Sequence, residues 1–193
     1  MAQELGYEQV SGINYLKEQD GWFEGFSLQA SSYGNDFFYI NYGVSVPNIW
    51  EPFENVIDKK QMGYLLSQRL HNDFEQGFPN NTKEQVEISA EFALVKYKEQ
   101  AIPWFKLIND LNDITENFFS STNLDKNKLG KHDVYLGLKA ATYGLLLFKI
   151  GNIQECKNWL LEADRLYSQD KELADYEIEQ HKTIHKIMKY INA

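Results

Sequence analysis

Cysteine is almost absent. Cys156 is the single one in 193 residues, so no internal disulfide can form. Positive charge is short as well, with 19 Lys and Arg against 28 Asp and Glu, a formal charge of -9. A field of that sign repels nucleic-acid backbones and anionic lipid, and it suits a basic partner or plain solubility. Basic residues alternate with acids in every stretch, so no nucleic-acid stripe exists. No long apolar run is present. Gly144 to Phe148 is the longest, far too short to cross a bilayer. The start, Met1-Ala2-Gln3-Glu4, has neither a basic patch nor an apolar segment, so no secretory signal and a cytoplasmic location are expected. Gly-x-Gly-x-x-Gly, Gly-Lys-Ser/Thr and Gly-x-Ser-x-Gly are all missing, which removes the phosphate-loop, dinucleotide and nucleophile-elbow signatures.

Apolar and aromatic side chains are plentiful, at 43% and 15% of residues. That is ample for a packed core and argues against disorder. The strongest local signal runs from Phe37 to Val46. Phe38, Ile40, Tyr42, Val44 and Val46 alternate with Phe37, Tyr39, Asn41, Gly43 and Ser45, the period of two expected of a strand with one apolar face. Pro47 ends it by removing a backbone donor. Before it, the pattern predicts strands over about 11–18 and 22–31, joined by a Gln19-Asp20-Gly21 turn. Trp22, Phe26, Leu28 and Ala30 share one face of the second strand, and Tyr33-Gly34-Asn35-Asp36 supplies the next turn. Residues 48–60 read as loop. Residues 63–72 read as a fourth strand with Tyr64, Leu66, Gln68 and Leu70 on one face, with a short helix as the alternative, and 74–81 read as loop.

Thr82 with Gln85 forms a capping box. Val86, Ala90, Ala93, Tyr97 and Ala101 follow at helical spacing as the expected buried stripe. Pro103 predicts a break near Ala101 and a second helix to about Phe119. Residues 120–131 read as a polar loop. Helices are predicted over 134–150 and 153–167, folded back at Gly151-Asn152, with a last amphipathic helix over 175–191. The fold class is therefore α+β: an N-terminal antiparallel sheet of about four strands packed against helices in residues 1–119, then a helical extension in 120–193.

Two stretches resemble known families. Gly21-Trp22-Phe23, Leu28-Gln29-Ala30-Ser31-Ser32-Tyr33-Gly34, Phe38-Tyr39-Ile40-Asn41-Tyr42-Gly43-Val44 and the later Ile102-Pro103-Trp104-Phe105 resemble a bacterial family catalogued as a domain of unknown function. Its pattern is Gln-x-Ser-x-x-Gly followed by Phe-x-Ile-Asn-x-Gly-Val. The likeness covers about 5–119, with a longer N-terminal helix of the family cut down. Such families often sit beside polymorphic toxins, so the resemblance implies an immunity-type inhibitor. Tyr143 to Cys156 with Leu160-Leu161-Glu162-Ala163 is similar to one tetratricopeptide-type hairpin, and a single copy makes no array.

Few residues invite chemistry. Glu177, His181 and His185 lie one helical turn apart, a start on a metal site that lacks a third His or Cys and a catalytic Glu beside the first His. A solvated helix face is the plainer reading. His71 with Asp73 reads as a strand end and turn rather than an acid–base pair. Cys156 sits near a helix N-terminus, where a thiolate is favoured, yet a small buried hydrophobe is the default. No catalytic, cofactor-binding or metal residues are therefore assigned, and no cofactor is expected.

The second sheet face, with Phe23, Ser27, Gln29, Ser31, Phe37, Tyr39, Asn41 and Ser45, is either covered by helices or open for gripping a partner. The expected activity is non-enzymatic binding of a basic protein, steered by Asp20, Glu24, Asp36, Glu51 and Glu54 and anchored by aromatics such as Tyr39. The alternative is a small-molecule site or enzyme pocket assembled from scattered residues, with Gln29, Asn41 and His71 as first suspects. A scaffold that oligomerises through its C-terminal helices is a third option.

Overall fold

A computed structural model describes residues 2–31, 36–54, 59, 63–72, 77–122, 124, 135–169 and 173–192. The chain divides into two compact units, residues 1–47 with 58–110 and residues 48–57 with 111–193. The second helix, expected from about Ala101 to Phe119, is found at 111–121, and these residues belong to the second unit.

The first unit is a sheet crossed by one long helix. Its strands are β1 (Glu8–Gln9), β2 (Asn14–Glu18), β3 (Phe23–Ala30), β4 (Phe37–Ser45), β5 (Leu66–Arg69) and β6 (Phe78–Pro79). All pairings are antiparallel in the order β1-β2-β3-β4-β5, and β6 joins β4 beside Phe37 and Phe38. The expected meander and turn at Gly21 are present, and two short strands extend it. Residues 78–79, read as loop from sequence, pair because Phe78 stacks on Phe38 at 5.3 Å and is fully buried.

Helix α1 (Lys83–Phe105) begins at Thr82, whose Oγ1 accepts the Gln85 amide at 3.2 Å. The Gln85 side chain returns one residue earlier than expected, accepting from the Asn81 amide. The buried stripe is Ser89, Ala93, Tyr97, Ala101 and Phe105. Val86 and Ala90 fall outside it and are exposed. Pro103 does not break the helix. It lies in the last turn, where its missing N–H costs one backbone bond, and the chain turns only at Lys106.

Even-numbered residues of β3 and β4 face α1, as the alternation predicts. Phe26 meets Tyr97 edge-on at 5.4 Å, Tyr7 at 5.2 Å and stacks on Tyr15 at 4.7 Å. Such aromatic pairs add about 0.5–1.5 kcal/mol each beyond their burial.

The second unit is helical, built from α2 (Leu111–Ser121), α3 (Leu136–Lys149), α4 (Ile153–Gln169) and α5 (Asp175–Asn192). Gly151 takes the left-handed conformation (φ 81) that lets α3 and α4 fold back, and Asn152 Oδ1 accepts the Glu155 amide. Gly144 lets the two helices approach, since a Cβ there would lie 3.3 Å from the Cys156 carbonyl oxygen. Ala140, Ala141, Leu145, Leu146, Leu160, Ala163, Ile184 and Ile187 are fully buried. So is Leu124, inside the stretch expected to be a polar loop. A lone leucine carries no period, which is why sequence alone left it there. No helix among the described residues is long and apolar enough to cross a membrane.

Candidate functional site

The site grows from Glu24. Its even number puts it on the α1 side of β3 with Phe26, so it is 7% exposed. It does sit near a strand end, as the second residue of β3, but it is buried. The signal was present in the alternation that put Trp22 and Phe26 on the core face. A buried carboxylate needs partners, and the sheet supplies them. β2 sets Lys17 directly opposite Glu24, and Lys17 Nζ lies 2.9 Å from Oε1. The Tyr7 hydroxyl donates to the same oxygen at 3.1 Å. A carboxylate only accepts, so Tyr7 spends its proton on Glu24, and its oxygen takes the Tyr97 hydroxyl at 2.7 Å. Burial, with each other and Glu24 as further causes, holds the Tyr7 hydroxyl far above the ordinary tyrosine range. Burial does the same at Tyr97. Both stay protonated, and the chain Tyr97 to Tyr7 to Glu24 keeps one direction.

This chain forms one wall of a cleft of about 490 Å³. Trp22 and Phe105 give it aromatic sides, and Asp20, Lys17 and Lys106 bring charge. Both contacts to Glu24 fall on Oε1. Glu24 itself is part of the cleft lining.

The other expected site residues are scattered. Asp20 is exposed and lines the same cleft as Glu24. Asp36 is exposed in the turn before β4. Tyr39 lies on the opposite sheet face, with the Arg69 guanidinium 4.4 Å over its ring. Glu51 and Glu54 belong to the second unit. Gln29 and Asn41 do meet. Asn41 Nδ2 donates to Gln29 Oε1 at 2.9 Å, and Arg69 bonds to both. His71 does not join them. Its backbone N–H and C=O pair with the Gln100 side chain, each at 2.9 Å, and Asp73 lies outside the described residues.

On that second face the strand register pairs Gly25 with Gly43. Tyr64 fills the slot they leave, within van der Waals reach of both. Tyr64 therefore sits opposite Leu66, whose β4 partner is Val44. The expected common face of Tyr64 and Leu66 fails because the strand starts only at Leu66. Lys59 covers Phe23 at 5.3 Å from its ring centre, and the Ser45 hydroxyl donates to the Gly63 carbonyl at 2.8 Å. Lys59, Gly63 and Tyr64 lie against this part of the face, and the Gln29, Tyr39 and Arg69 end stays partly exposed.

In the helical unit, Cys156 is fully buried, and burial pushes its thiol up to about 11. It packs as a small hydrophobe. Glu177 does not meet the histidines through its carboxylate; Oε2 accepts the Ala174 amide at 2.8 Å and caps α5. Asp164 of α4 meets them instead, with its Oδ1 2.7 Å from His181 Nε2 and 2.6 Å from His185 Nε2.

Neither the curated proteins nor the solved structures yield a match to the chain. A family model described as Domain of unknown function (DUF4304) matches residues 1–107, which hold all six strands, α1 and nearly every residue of the Glu24 cleft. With more than half of its 193 residues inside that match, the chain belongs to the DUF4304 family.

Proposed function

We propose that this chain is a non-enzymatic binding module whose sheet domain takes a basic side chain of a partner protein into the Glu24 cleft. The observation that carries the proposal is a buried carboxylate in the cleft lining, fixed through Oε1 by Tyr7 and Lys17. A fixed acceptor between aromatic walls suits a guanidinium or ammonium group, which pairs with the oxygen and stacks on the rings. Lys17 already satisfies one oxygen, so the site selects by geometry as well as by charge. Asp20 near the cleft and the net charge of -9 draw a basic partner in from a distance. At a finer level we read the chain as an immunity-type inhibitor of a basic bacterial toxin domain, acting in the cytoplasm. Support for this comes from the acidic charge and the family likeness. A small amine ligand is the second reading, favoured by a cleft volume of about 490 Å³, within the range of small-molecule sites.

The test is a titration of the full chain with an arginine-bearing peptide and with its neutral citrulline counterpart, followed through the Trp22 side-chain resonance. Trp22 is buried in the cleft wall. The arginine peptide should shift that resonance and the citrulline peptide should not, and Glu24→Gln should remove the response. Equal responses to both peptides, or an unchanged response in Glu24→Gln, would overturn the reading. Asp20→Asn should lower the association rate more than Glu24-independent changes elsewhere do, most strongly at low salt.

A further inference from the structure

We infer that Asp164, His181 and His185 form a binding site for a divalent transition metal of the zinc class. His181 and His185 stand one turn apart on α5, so both rings project from one face. Asp164 on α4 lies across from them, and the three potential ligand atoms fall within 4.8 Å of one another. Both imidazoles point Nε2 at one oxygen, Asp164 Oδ1, at 2.7 and 2.6 Å. Their ring centres are 4.6 Å apart.

Without a metal, that oxygen must accept an N–H from each of two neighbouring rings. One divalent ion among the three side chains satisfies the carboxylate oxygen and both ring nitrogens at once. Each neutral ring then holds its single proton on Nδ1, having shifted it from Nε2, and gives the Nε2 lone pair to the metal. At metal–nitrogen and metal–oxygen bonds of about 2.0–2.2 Å, a tetrahedral centre holds its ligands roughly 3.3 Å apart. The two contacts to Asp164 Oδ1 open by less than about 1 Å to reach that spacing, and the two ring nitrogens, within 4.8 Å of each other, close toward it.

The first ring is already oriented. Tyr167 stacks on His181 at 5.3 Å, and its hydroxyl donates to Gln180 Oε1 at 3.0 Å, on the residue before His181. Two nitrogens and one carboxylate favour a borderline ion over calcium or magnesium, which prefer all-oxygen sets. Asp164 and His185 side chains are 32% and 54% exposed, so the remaining coordination positions face water. The ion would link α4 to α5.

The test uses the full chain stripped with a chelator. Zinc binding is measured by calorimetry, and coordination by the visible absorption of bound cobalt(II). One ion per chain is expected, with a nitrogen-containing, low-symmetry cobalt spectrum and a raised melting temperature that a chelator reverses. Asp164→Asn and His185→Gln should each weaken binding by more than the roughly 10-fold cost of losing an outer-shell partner. Both positions are partly exposed, and the first change preserves shape, so folding should survive. His71→Ala, in the other unit, should bind as the parent does. Absence of stoichiometric binding, or equal binding by the Asp164 and His185 variants, would overturn the assignment.

Discussion

The chain of hydroxyls behind the cleft gives an unequal forecast for two similar substitutions. Tyr97→Phe removes the donor at the far end. Tyr7 still donates to Glu24 Oε1 at 3.1 Å, so no buried donor is stranded. The loss is one ordinary hydrogen bond, about 0.5–1.5 kcal/mol. Tyr7→Phe removes the middle link. Glu24 keeps Lys17, but the Tyr97 hydroxyl, on a residue 1% exposed, loses its acceptor at 2.7 Å. A stranded buried donor adds a desolvation cost of about 1–3 kcal/mol. Tyr7→Phe should therefore be the costlier change by roughly 1 kcal/mol or more. For a chain of this size, that difference corresponds to a melting shift of about 2–4 °C.

The double variant strands no donor, so it should cost less than the two single changes added together. Urea unfolding of the parent, both single variants and the double variant completes the cycle, with unchanged slopes confirming that stability alone has moved. If Tyr97→Phe costs as much as Tyr7→Phe, or if the two changes add, the directed chain is wrong.

Gly43→Ala would drive a Cβ into the Leu66 carbonyl oxygen and to 3.0 Å from the Tyr64 Cβ. Because backbone cannot yield as a side chain can, a loss of about 1–3 kcal/mol or more is expected by urea unfolding, and a neutral result would deny the close packing of β4 and β5. Cys156, buried with its thiol near 11, should resist alkylation at neutral pH until the helical unit opens, so labelling as fast as that of a free thiol would contradict its burial. Tyr7 and Tyr97 are raised above the ordinary 10.0, so the folded state holds their protons longer than the unfolded chain does. Stability from this source is complete below pH 10.0 and falls as the pH climbs beyond it toward the folded values. Tyr7→Phe/Tyr97→Phe should flatten that alkaline decline in a pH series of unfolding midpoints.

Local order was written in the sequence wherever one short-range rule sufficed. Alternation from Phe37 to Val46 marked β4 and its apolar face, Thr82 marked the start of α1, and Gly151 with Asn152 marked the fold-back of α3 and α4. The α+β class followed from these, because each element exposed one apolar side that only another element could cover. Alternation also carried the burial of Glu24, since positions 22, 24 and 26 must share a face. Pro103 shows the limit of a local rule: its effect depends on how much helix remains after it, and here only two residues did.

Tertiary structure alone decided which distant residues meet. Lys17 reaches Glu24 because β2 and β3 pair in one register, and Tyr7 and Tyr97, 90 positions apart, meet because α1 crosses that sheet. The histidine pair of α5 had its spacing in the sequence, but its third partner did not. Glu177 looked closer along the chain and turned to cap its own helix, while Asp164 came from the neighbouring one. Periodicity determines which side of an element is buried. Which side chains face each other across a gap depends on the register and packing of separate elements, which only the assembled chain can set.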